Sequence, residues 1–459
     1  MTLNLLELDY SPDSSHYFEK IRALPLATFL DSCSSMQQGA QGRYDIMTAA
    51  PSDTVTVNAD GLLVWEQRVT GAVYKGHADP FTILSEVFES MPPVNDDRFP
   101  FTGGIAGFWS YELNSLLEPG RALGWGDKKQ RLMVAGLFWW AIVTDHQEKS
   151  RTLIFHSGIA DTTKSAVLEA LRHTGKNKQY FALKAPFSPT ISPEQYDTAF
   201  RRIQAYIAAG DCYQVNLTQS FTAPYTGDSW TAYHQLRQSS PSPYSAYLDY
   251  PGITLLSLSP ERFIKVEKGI IESHPIKGTI ARGADDISDK RNAQILTNSE
   301  KDRAENLMIV DLLRNDLGKV CEIGSIAVPR LFALESFANV HHLVSEVTGK
   351  LRPTINLFNV LSSIFPGGSI TGAPKIRAME IIRELEAGPR SAYCGSVGYV
   401  SSNGNMDMNI AIRTLVADGH TLSCWGGGAI VADSKATEEY NESVTKVQHL
   451  MSALHTMTS

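Results

Sequence analysis

The chain of 459 residues is 43% hydrophobic and 20% charged, and it carries a formal net charge of −8. These values are typical of a globular protein with one large core or two coupled cores, and they exclude extensive disorder. A nucleic-acid partner is not expected, because phosphate binding requires a basic surface and the sequence has no run of lysines or arginines.

The cysteines and the N-terminal residues indicate the cellular compartment of the protein. The five cysteines are scattered without a Cys-x-x-Cys pair, so neither a zinc site nor a disulfide framework is indicated. The first residues, MTLNLLELDY, lack the basic and apolar segments of an export signal. The longest apolar run, 132–143, is too short to span a bilayer and predicts a buried pair of strands. We therefore expect a reduced protein of the cytoplasm.

The predicted elements fall into two regions. Residues 1–188 carry short β-like runs separated by turn signals, with a few helical stretches. A polar segment with several prolines marks the boundary to residues 189–459. There YDTAFRRIQAYIAAGD predicts an amphipathic helix ending at Gly210, and CYQVNLTQSFTA predicts a strand. Later hairpins are interleaved with helices near 299–315, near 376–386 and at the C-terminus. Such mixing favours an α+β fold over a doubly wound one.

Lys277 lies between a proline and a glycine in SHPIKGTIAR, which we interpret as the corner of a hairpin. A lysine in such a turn is usually a solvated charge, so this segment alone favours a structural role. A catalytic role for Lys277 requires support from the rest of the chain.

Two pairs of carboxylates stand three residues apart on predicted helices. Asp302 and Glu305 form the first pair, and Glu439 and Glu442 form the second, with Lys446 four residues beyond Glu442. Residues at this spacing share one face of a helix, and an ordinary solvated surface would explain each pair by itself. Two pairs in one chain also suit Mg²⁺, which prefers oxygen ligands and shares them with an anionic substrate.

Two glycine-rich segments could bring the backbone close to a ligand. FPGGSITGAPKIRAMEII places glycines and Thr371 before a helix that begins near Pro374, where free N–H groups can hold an anion. The segment lacks the Gly-Lys-Ser/Thr ending of a P-loop, so ATP hydrolysis is not expected. In CWGGGAIVADS, adjacent glycines allow either close approach of a ligand or a tight bulge.

Arg413 is the one cation in MDMNIAIRTLV, which we interpret as an otherwise apolar strand. A partly buried arginine requires a carboxylate partner. Either the protein or a ligand could supply that carboxylate.

A series of short segments appears in a fixed order between residues 195 and 450: SLSPERF (257–263), PIKGT (275–279), DRAENLMIVDLLRNDLG (302–318), HHLVS (341–345), GGSITGAPK (367–375), GSVGY (395–399), IRT (412–414), IVADS (430–434) and EYNE (439–442). Together they resemble the chorismate-utilising enzymes. RYDI, at 43–46, looks like part of that family's N-terminal companion segment. The resemblance implies large antiparallel β-sheets packed in a sandwich-like core, with helices on the outside.

The resemblance also implies a metal site and a substrate site. Mg²⁺ would be held by Glu305, Glu439 and Glu442, with Asp302 nearby. The residues that would contact the carboxylates or the ring of chorismate are Arg413, Lys446, Tyr399, Thr371, His342 and the amides of Gly427 and Gly428. The chain departs from the family at Ala429, where the family has glycine, and alanine would be strained there if the backbone requires a positive φ.

Two positions indicate the branch of the family. Anthranilate synthases have a small residue in place of Lys277, and isochorismate and salicylate synthases have a water-activating lysine in place of Gln214. The resemblance therefore implies amination of chorismate to 4-amino-4-deoxychorismate, which leads to 4-aminobenzoate and folate. Lys277 would add to ring carbon 2, and Glu261 would act as acid and then as base. A buried ion pair between Glu261 and Arg262, or another cation, is the structural alternative.

Other assignments follow from what the chain lacks or shares with relatives. It has no arrangement like that of a glutamine amidotransferase, so ammonia would come from a separate glutaminase subunit, as in the family. SPSPY, at 240–244, resembles the tryptophan-contacting segment of anthranilate synthases. This resemblance implies a tryptophan site, either structural or vestigial. An anthranilate synthase large subunit and a noncatalytic protein that binds chorismate or tryptophan are the alternative functions.

Overall fold

The structure is a computed structural model that describes residues 2–34, 42–118, 120, 123–125, 130–172, 179–336 and 340–458. The strands are Asn4–Leu8 (β1), Ala27–Asp31 (β2), Tyr44–Thr48 (β3), Asp53–Asn58 (β4), Leu63–Gln67 (β5), Val73–Gly76 (β6), Gly104–Trp109 (β7), Arg131–Phe138 (β8), Trp140–Asp145 (β9), Ser150–Phe155 (β10), Phe181–Leu183 (β11), Ser188–Pro189 (β12), Gln214–Gly227 (β13), Tyr244–Tyr250 (β14), Ile253–Ser259 (β15), Arg262–Glu267 (β16), Ile270–Ser273 (β17), Ile276–Ala281 (β18), Ala327–Ser336 (β19), Val340–Lys350 (β20), Gly372–Ala373 (β21), Ser396–Ser401 (β22), Met406–Asn409 (β23), Thr414–Asp418 (β24) and Thr421–Ile430 (β25). The helices are Ser15–Ile21 (α1), Pro80–Glu89 (α2), Asn114–Leu117 (α3), Asp161–Arg172 (α4), Pro193–Ala208 (α5), Ser229–Ser239 (α6), Asp286–Thr297 (α7), Glu300–Gly318 (α8), Leu357–Ile364 (α9), Lys375–Leu385 (α10) and Ala436–His455 (α11).

The strands form two large antiparallel sheets. The first sheet has the order β1-β10-β9-β3-β2-β14-β15-β24-β25-β13-β11, with β12 and β21 also pairing with β13. The second has the order β18-β20-β17-β16-β23-β22-β7-β8-β4-β5-β6, with β19 also pairing with β20. The apolar run 132–143 forms the buried strands β8 and β9, as predicted, but the two strands join different sheets instead of pairing with each other.

The core lies between the two sheets. Buried side chains from the first sheet, such as Ile46 and Leu255, belong to the same apolar cluster as Val134 and Met406 of the second. A second cluster covers the outer face of the first sheet, where Leu450 of α11 packs with strand residues. These sheets and outer helices confirm the predicted α+β fold. Among the described residues, no helix is long and apolar enough to cross a membrane.

Strands of the two predicted regions share both sheets. In the first sheet β2 pairs with β14, and in the second β7 pairs with β22. The division at residue 188 stays a prediction about the sequence. The helices predicted near 196–210, 299–315, 376–386 and the C-terminus are α5, α8, α10 and α11.

The chain crosses between the two sheets at two neighbouring places, which carry Glu261 and Arg413. The chain passes from β15 of the first sheet to β16 of the second through Glu261, and it returns from β23 to β24 through Arg413. The crossings lie side by side, because the Leu258 amide donates to the Arg413 carbonyl at 3.0 Å and the Ile410 amide donates to the Glu261 carbonyl at 2.9 Å. The two charged residues are thereby held where the sheets meet.

Arg413 does not lie on a continuous strand, so that prediction was wrong. It follows the end of β23 and precedes β24, and its φ of +49° breaks the extended conformation. The apolar alternation that suggested one strand comes from two strands that belong to different sheets.

Candidate active site

Lys277 occupies a β-bulge, not the predicted hairpin corner. It lies in β18, which runs antiparallel to β20, and the pairing shifts register between Ile276 and Thr279. Gly278 adopts a φ of +87°, and a Cβ added there would lie 3.0 Å from the Asp302 side chain of α8. Gly278 therefore allows the positive φ of the bulge and the close approach of α8. The turn prediction was wrong because a proline and a glycine near each other in sequence usually indicate a turn.

The Lys277 side chain points to the glycine-rich segment between α9 and α10. Its Nζ donates a hydrogen bond to the backbone carbonyl of Ser369 at 3.2 Å. Burial lowers the pKa of Lys277, and the carboxylate of Glu261 opposes that shift without cancelling it. The amine is thus easier to deprotonate than an ordinary lysine, as a nucleophile requires.

Glu261 is a buried carboxyl group, with 7% of its surface exposed. Burial raises its pKa, and the Lys277 ammonium partly offsets this rise. The Ser369 hydroxyl donates to Glu261 Oε1 at 2.8 Å. The alternative of an ion pair with Arg262 is wrong, because that guanidinium binds Asp407 at 3.0 Å and Glu272 at 3.3 Å.

Glu261 and Lys277 have pKa values shifted towards each other, since burial raises the pKa of the acid and lowers that of the base. Burial thus favours the uncharged forms of both groups, a carboxylic acid and a neutral amine. Titratable groups with such displaced pKa values are typical of acid–base and nucleophilic sites.

The three predicted metal ligands are brought together from two helices. Glu305 lies on α8, and Glu439 and Glu442 lie on α11. Burial raises the pKa of both Glu305 and Glu439, and the charge of Glu442 adds to each rise. A Cβ added at Gly428 would lie 3.0 Å from Glu439 Oε2 and 3.3 Å from Glu442 Oε1. The glycine therefore lets the strand lie directly against these carboxylates.

The donor set fits Mg²⁺. Beyond the effect of burial, the charge of Glu442 raises the pKa of Glu305 and Glu439, whereas Lys446 helps to lower the pKa of Glu442 itself against the effect of burial. A divalent cation would stabilise the charged form of all three, and the ligands are all oxygens. Oxygens of these three glutamates do not all lie within 4.8 Å of one another; in the described part of the chain only Glu272, His274 and Glu346 form so tight a group. Direct ligands of one Mg²⁺ lie within about 4.2 Å of one another, so with the side chains placed as they are, at least one glutamate would reach the ion through water.

Arg413 is a largely buried cation that faces the site. No hydrogen bond or ion pair joins its guanidinium to any residue in the described ranges, and burial alone lowers its pKa. The described protein residues supply no carboxylate partner, and the assignment of a ligand carboxylate to Arg413 stays a prediction. An unpaired buried guanidinium is costly, and a carboxylate ligand relieves that cost.

Lys446 lies beside the carboxylate of Glu442, and His342 lies near the guanidinium of Arg413. Lys446 Nζ lies 2.6 Å from Glu442 Oε1 and donates to the Gly427 carbonyl at 2.9 Å. Burial, with the neighbouring charge of Arg413, lowers the pKa of His342 to about 4. Its Nδ1 lies 2.8 Å from the Thr279 hydroxyl. His342 is consequently neutral at physiological pH and adds no charge to the site.

Gly427 and Gly428 lie within strand β25. They oppose Thr218 and Leu217 of β13. Ala429 continues the strand opposite Asn216 and is absent from the residues with positive φ, so alanine causes no backbone strain.

The substrate contacts predicted for Thr371 and Tyr399 stay predictions. The Thr371 hydroxyl is fully buried and donates within its own loop, to the carbonyls of Gly367 and Gly368 at 3.2 Å each, so its proton is committed there. Tyr399 lies on β22 and lines a separate cavity of about 280 Å³ with Tyr244 and Asp407.

That cavity includes residues of the SPSPY segment, namely Pro243 and Tyr244. Occupation of this cavity by tryptophan stays a prediction. Ser369 is the site residue that the sequence interpretation missed, although it stands inside the quoted GGSITGAPK segment. Asn216 was missed too, and its Nδ2 donates to the Ser369 carbonyl at 3.2 Å.

Comparison with known proteins shows the family of the chain. A family model described as chorismate binding enzyme matches residues 35–452. Aminodeoxychorismate synthase component 1 of Klebsiella aerogenes is 43% identical over 454 residues, covering 98% of each chain. The protein of that name from Escherichia coli strain K12 is 41% identical over 440 residues, 95% of each chain. Anthranilate synthase component I of Streptococcus pneumoniae superimposes with a TM-score of 0.76 and 30% identity, covering 90% of this chain and 93% of its own.

Proposed function

The chain belongs to the chorismate binding enzyme family and is an enzyme of it, and we propose that it aminates chorismate at ring carbon 4 to give 4-amino-4-deoxychorismate. The observation that carries this proposal is the placement of Lys277 and Glu261. Both contact Ser369, and burial shifts their pKa values towards each other. A nucleophilic amine next to a protonated acid suits displacement of a hydroxyl group.

The charges around the pair support a dicarboxylate substrate. Arg413 has no carboxylate partner in the described part of the protein, and Lys446 lies nearby. Chorismate would bring one carboxylate to Arg413 and the other to the glutamates and their metal. Three glutamates would repel this second carboxylate unless a divalent cation lay between them.

The first half of the reaction breaks the bond to the hydroxyl group. Neutral Lys277 Nζ forms a bond to ring carbon 2, the ring double bonds shift, and the bond between carbon 4 and its oxygen breaks. Glu261 gives its proton to that oxygen, which leaves as water. The enzyme is left with a positively charged secondary amine at Lys277 and a carboxylate at Glu261.

Ammonia resolves the adduct in the second half. It bonds to carbon 4, the double bonds shift back, and the electron pair of the bond to carbon 2 returns to Lys277 Nζ. Glu261 accepts a proton from the new ammonium group, which restores both residues. Chorismate and ammonia thus become aminodeoxychorismate and water.

Glu305, Glu439 and Glu442 would hold Mg²⁺, which when bound supplies positive charge to a substrate carboxylate. We expect a chelator to abolish turnover and added Mg²⁺ to restore it. Glu439→Gln replaces a buried carboxylate with a poorer ligand, so the Mg²⁺ concentration for half-maximal rate should rise about tenfold or more. Calorimetric titration of Mg²⁺ in the presence of chorismate provides a second reading.

The neighbouring Glu438→Gln variant is the matched control, because Glu438 lies on the same helix, is exposed, and pairs with Lys435. It should leave the Mg²⁺ dependence unchanged. An equal response of the two variants would contradict the assignment of Glu439.

We further propose that a separate glutaminase chain delivers the ammonia. The relatives in the comparison are named as component 1, which implies a partner component. Free ammonium salts should replace glutamine and the partner in the assay. Turnover with neither source would exclude ammonia as the nucleophile.

Anthranilate synthesis is the second candidate, since the structural relative from Streptococcus pneumoniae is an anthranilate synthase component I. A single assay separates the functions. The purified chain is given chorismate, Mg²⁺ and ammonium sulfate at about pH 8.5, where part of the ammonia is unprotonated, and the product is identified by mass. Aminodeoxychorismate supports the proposal, fluorescent anthranilate supports the second candidate, and binding without turnover indicates a noncatalytic chorismate-binding protein.

A further inference from the structure

Ser369 contacts both groups of the proposed reaction. Its hydroxyl donates to Glu261 Oε1 at 2.8 Å, and its backbone carbonyl accepts from Lys277 Nζ at 3.2 Å. In the ranges that the structure describes, no other residue hydrogen-bonds both of these side chains. The residue is 8% exposed, so water competes little for either bond.

The loop that carries Ser369 is held from several sides. Thr371 Oγ1 donates to the carbonyls of Gly367 and Gly368. A Cβ added at Gly368 would lie 2.4 Å from Leu312 Cδ2, so the loop rests directly on α8. The position of Ser369 is therefore set by the fold and does not depend on either catalytic group.

The carbonyl of Ser369 has a second donor. Asn216 Nδ2 donates to it at 3.2 Å, and Gln214 Nε2 donates to Asn216 Oδ1 at 3.2 Å. Two side chains of β13 thus brace the oxygen that receives Lys277. A carbonyl held in this way fixes the direction of one N–H bond of the amine and so limits its rotation.

We propose that Ser369 is a positioning residue that aligns Glu261 and Lys277 with each other. The inference rests on the proposed function, because it assigns how the acid and the nucleophile of that reaction are held. The hydroxyl acts on the acid, since a hydrogen bond donated to a carboxylate favours the charged form. The backbone carbonyl acts on the amine.

Ser369→Ala separates these two actions, because it removes the hydroxyl and keeps the carbonyl. The charged groups that face Glu261 are Lys277 of β18 and Lys446 of α11, and both remain. Loss of one hydrogen bond to a carboxylate corresponds to a pKa rise of about one unit. The alkaline limb of kcat/KM against pH, which reports the group that must be protonated, should therefore move up by about one pH unit. An unmoved limb would overturn the proposal.

Asn216→Ala tests the other action. It withdraws a donor from the Ser369 carbonyl and leaves the bond between the hydroxyl and Glu261 intact. We expect kcat to fall about tenfold while the alkaline limb of kcat/KM stays in place. An unchanged kcat would overturn the role of the carbonyl. Ser362→Ala, on α9, is a matched serine control and should change neither value.

A readout without turnover keeps this inference separate from the proposed function. The infrared band of a protonated buried carboxyl group is followed against pH, and the part due to Glu261 is identified by its loss in Glu261→Gln. Its midpoint should rise by about one pH unit in Ser369→Ala. A shift without aminodeoxychorismate formation would refute only the function, and an unchanged midpoint would refute the positioning role even in an active enzyme.

Discussion

Replacing Lys277 with alanine should lower the rate of aminodeoxychorismate formation at least about a thousandfold, because the variant has no nucleophile to displace the hydroxyl group. The fold should survive, since Lys277 Nζ makes one hydrogen bond to the protein and its burial is unfavourable for the charged form. Steady-state rates at saturating ammonium, with thermal unfolding measured in parallel, check both expectations.

Lys290→Ala is the control for this result. Lys290 lies exposed on α7, and its removal changes the net charge by the same amount. Its rate should equal that of the unmodified protein. If Lys277→Ala retains more than about a tenth of the rate, a direct attack of ammonia on the substrate replaces the covalent route.

Arg413→Gln should weaken chorismate binding about a hundredfold without destabilising the protein. A charged hydrogen bond to a carboxylate contributes about 1.5–3 kcal/mol, which accounts for the loss of affinity. The thermal midpoint should stay or rise, because the guanidinium is largely buried with no partner in the described residues. Calorimetric titration of chorismate in the presence of Mg²⁺, with Lys277→Ala also introduced, measures the chorismate affinity without adduct formation.

Two further variants sharpen this test. Arg413→Lys keeps the charge but loses the two-pronged geometry, so its affinity should be intermediate. Arg291→Gln removes an exposed arginine of α7 and should leave both binding and stability unchanged. A fall in the thermal midpoint of Arg413→Gln, with affinity intact, would show that Arg413 is a structural residue.

Local sequence patterns predicted helices and strands well where the pattern arises within one helix or one strand. The amphipathic period placed α8 and α11, and each carries its carboxylates on one face, as the spacing required. Spacing could not show that Glu305 and Glu442 meet, because they are far apart in sequence. Their convergence depends on tertiary packing, in which α8 lies against β18 and β20 of the second sheet and α11 lies against β25 of the first.

The errors arose where tertiary pairing decides the local conformation. Proline and glycine around Lys277 indicated a turn, but β20 holds that segment as a bulged strand. Tyr399 was assigned to the substrate from the resemblance alone, and alternate residues of a strand face opposite sides, so the sequence does not state which side faces the site. Ser369 was missed because its role depends on a loop that meets the crossing at Glu261.

Direct detection of the adduct tests the central claim most sharply. The protein is mixed with chorismate and Mg²⁺ without ammonia, quenched, digested and analysed by mass spectrometry, with Glu261→Gln as a variant that lacks the acid. The account predicts that the peptide containing Lys277 gains the mass of chorismate less one water, and that Glu261→Gln suppresses this gain. An unmodified Lys277 in protein that converts chorismate normally once ammonia is added would contradict it.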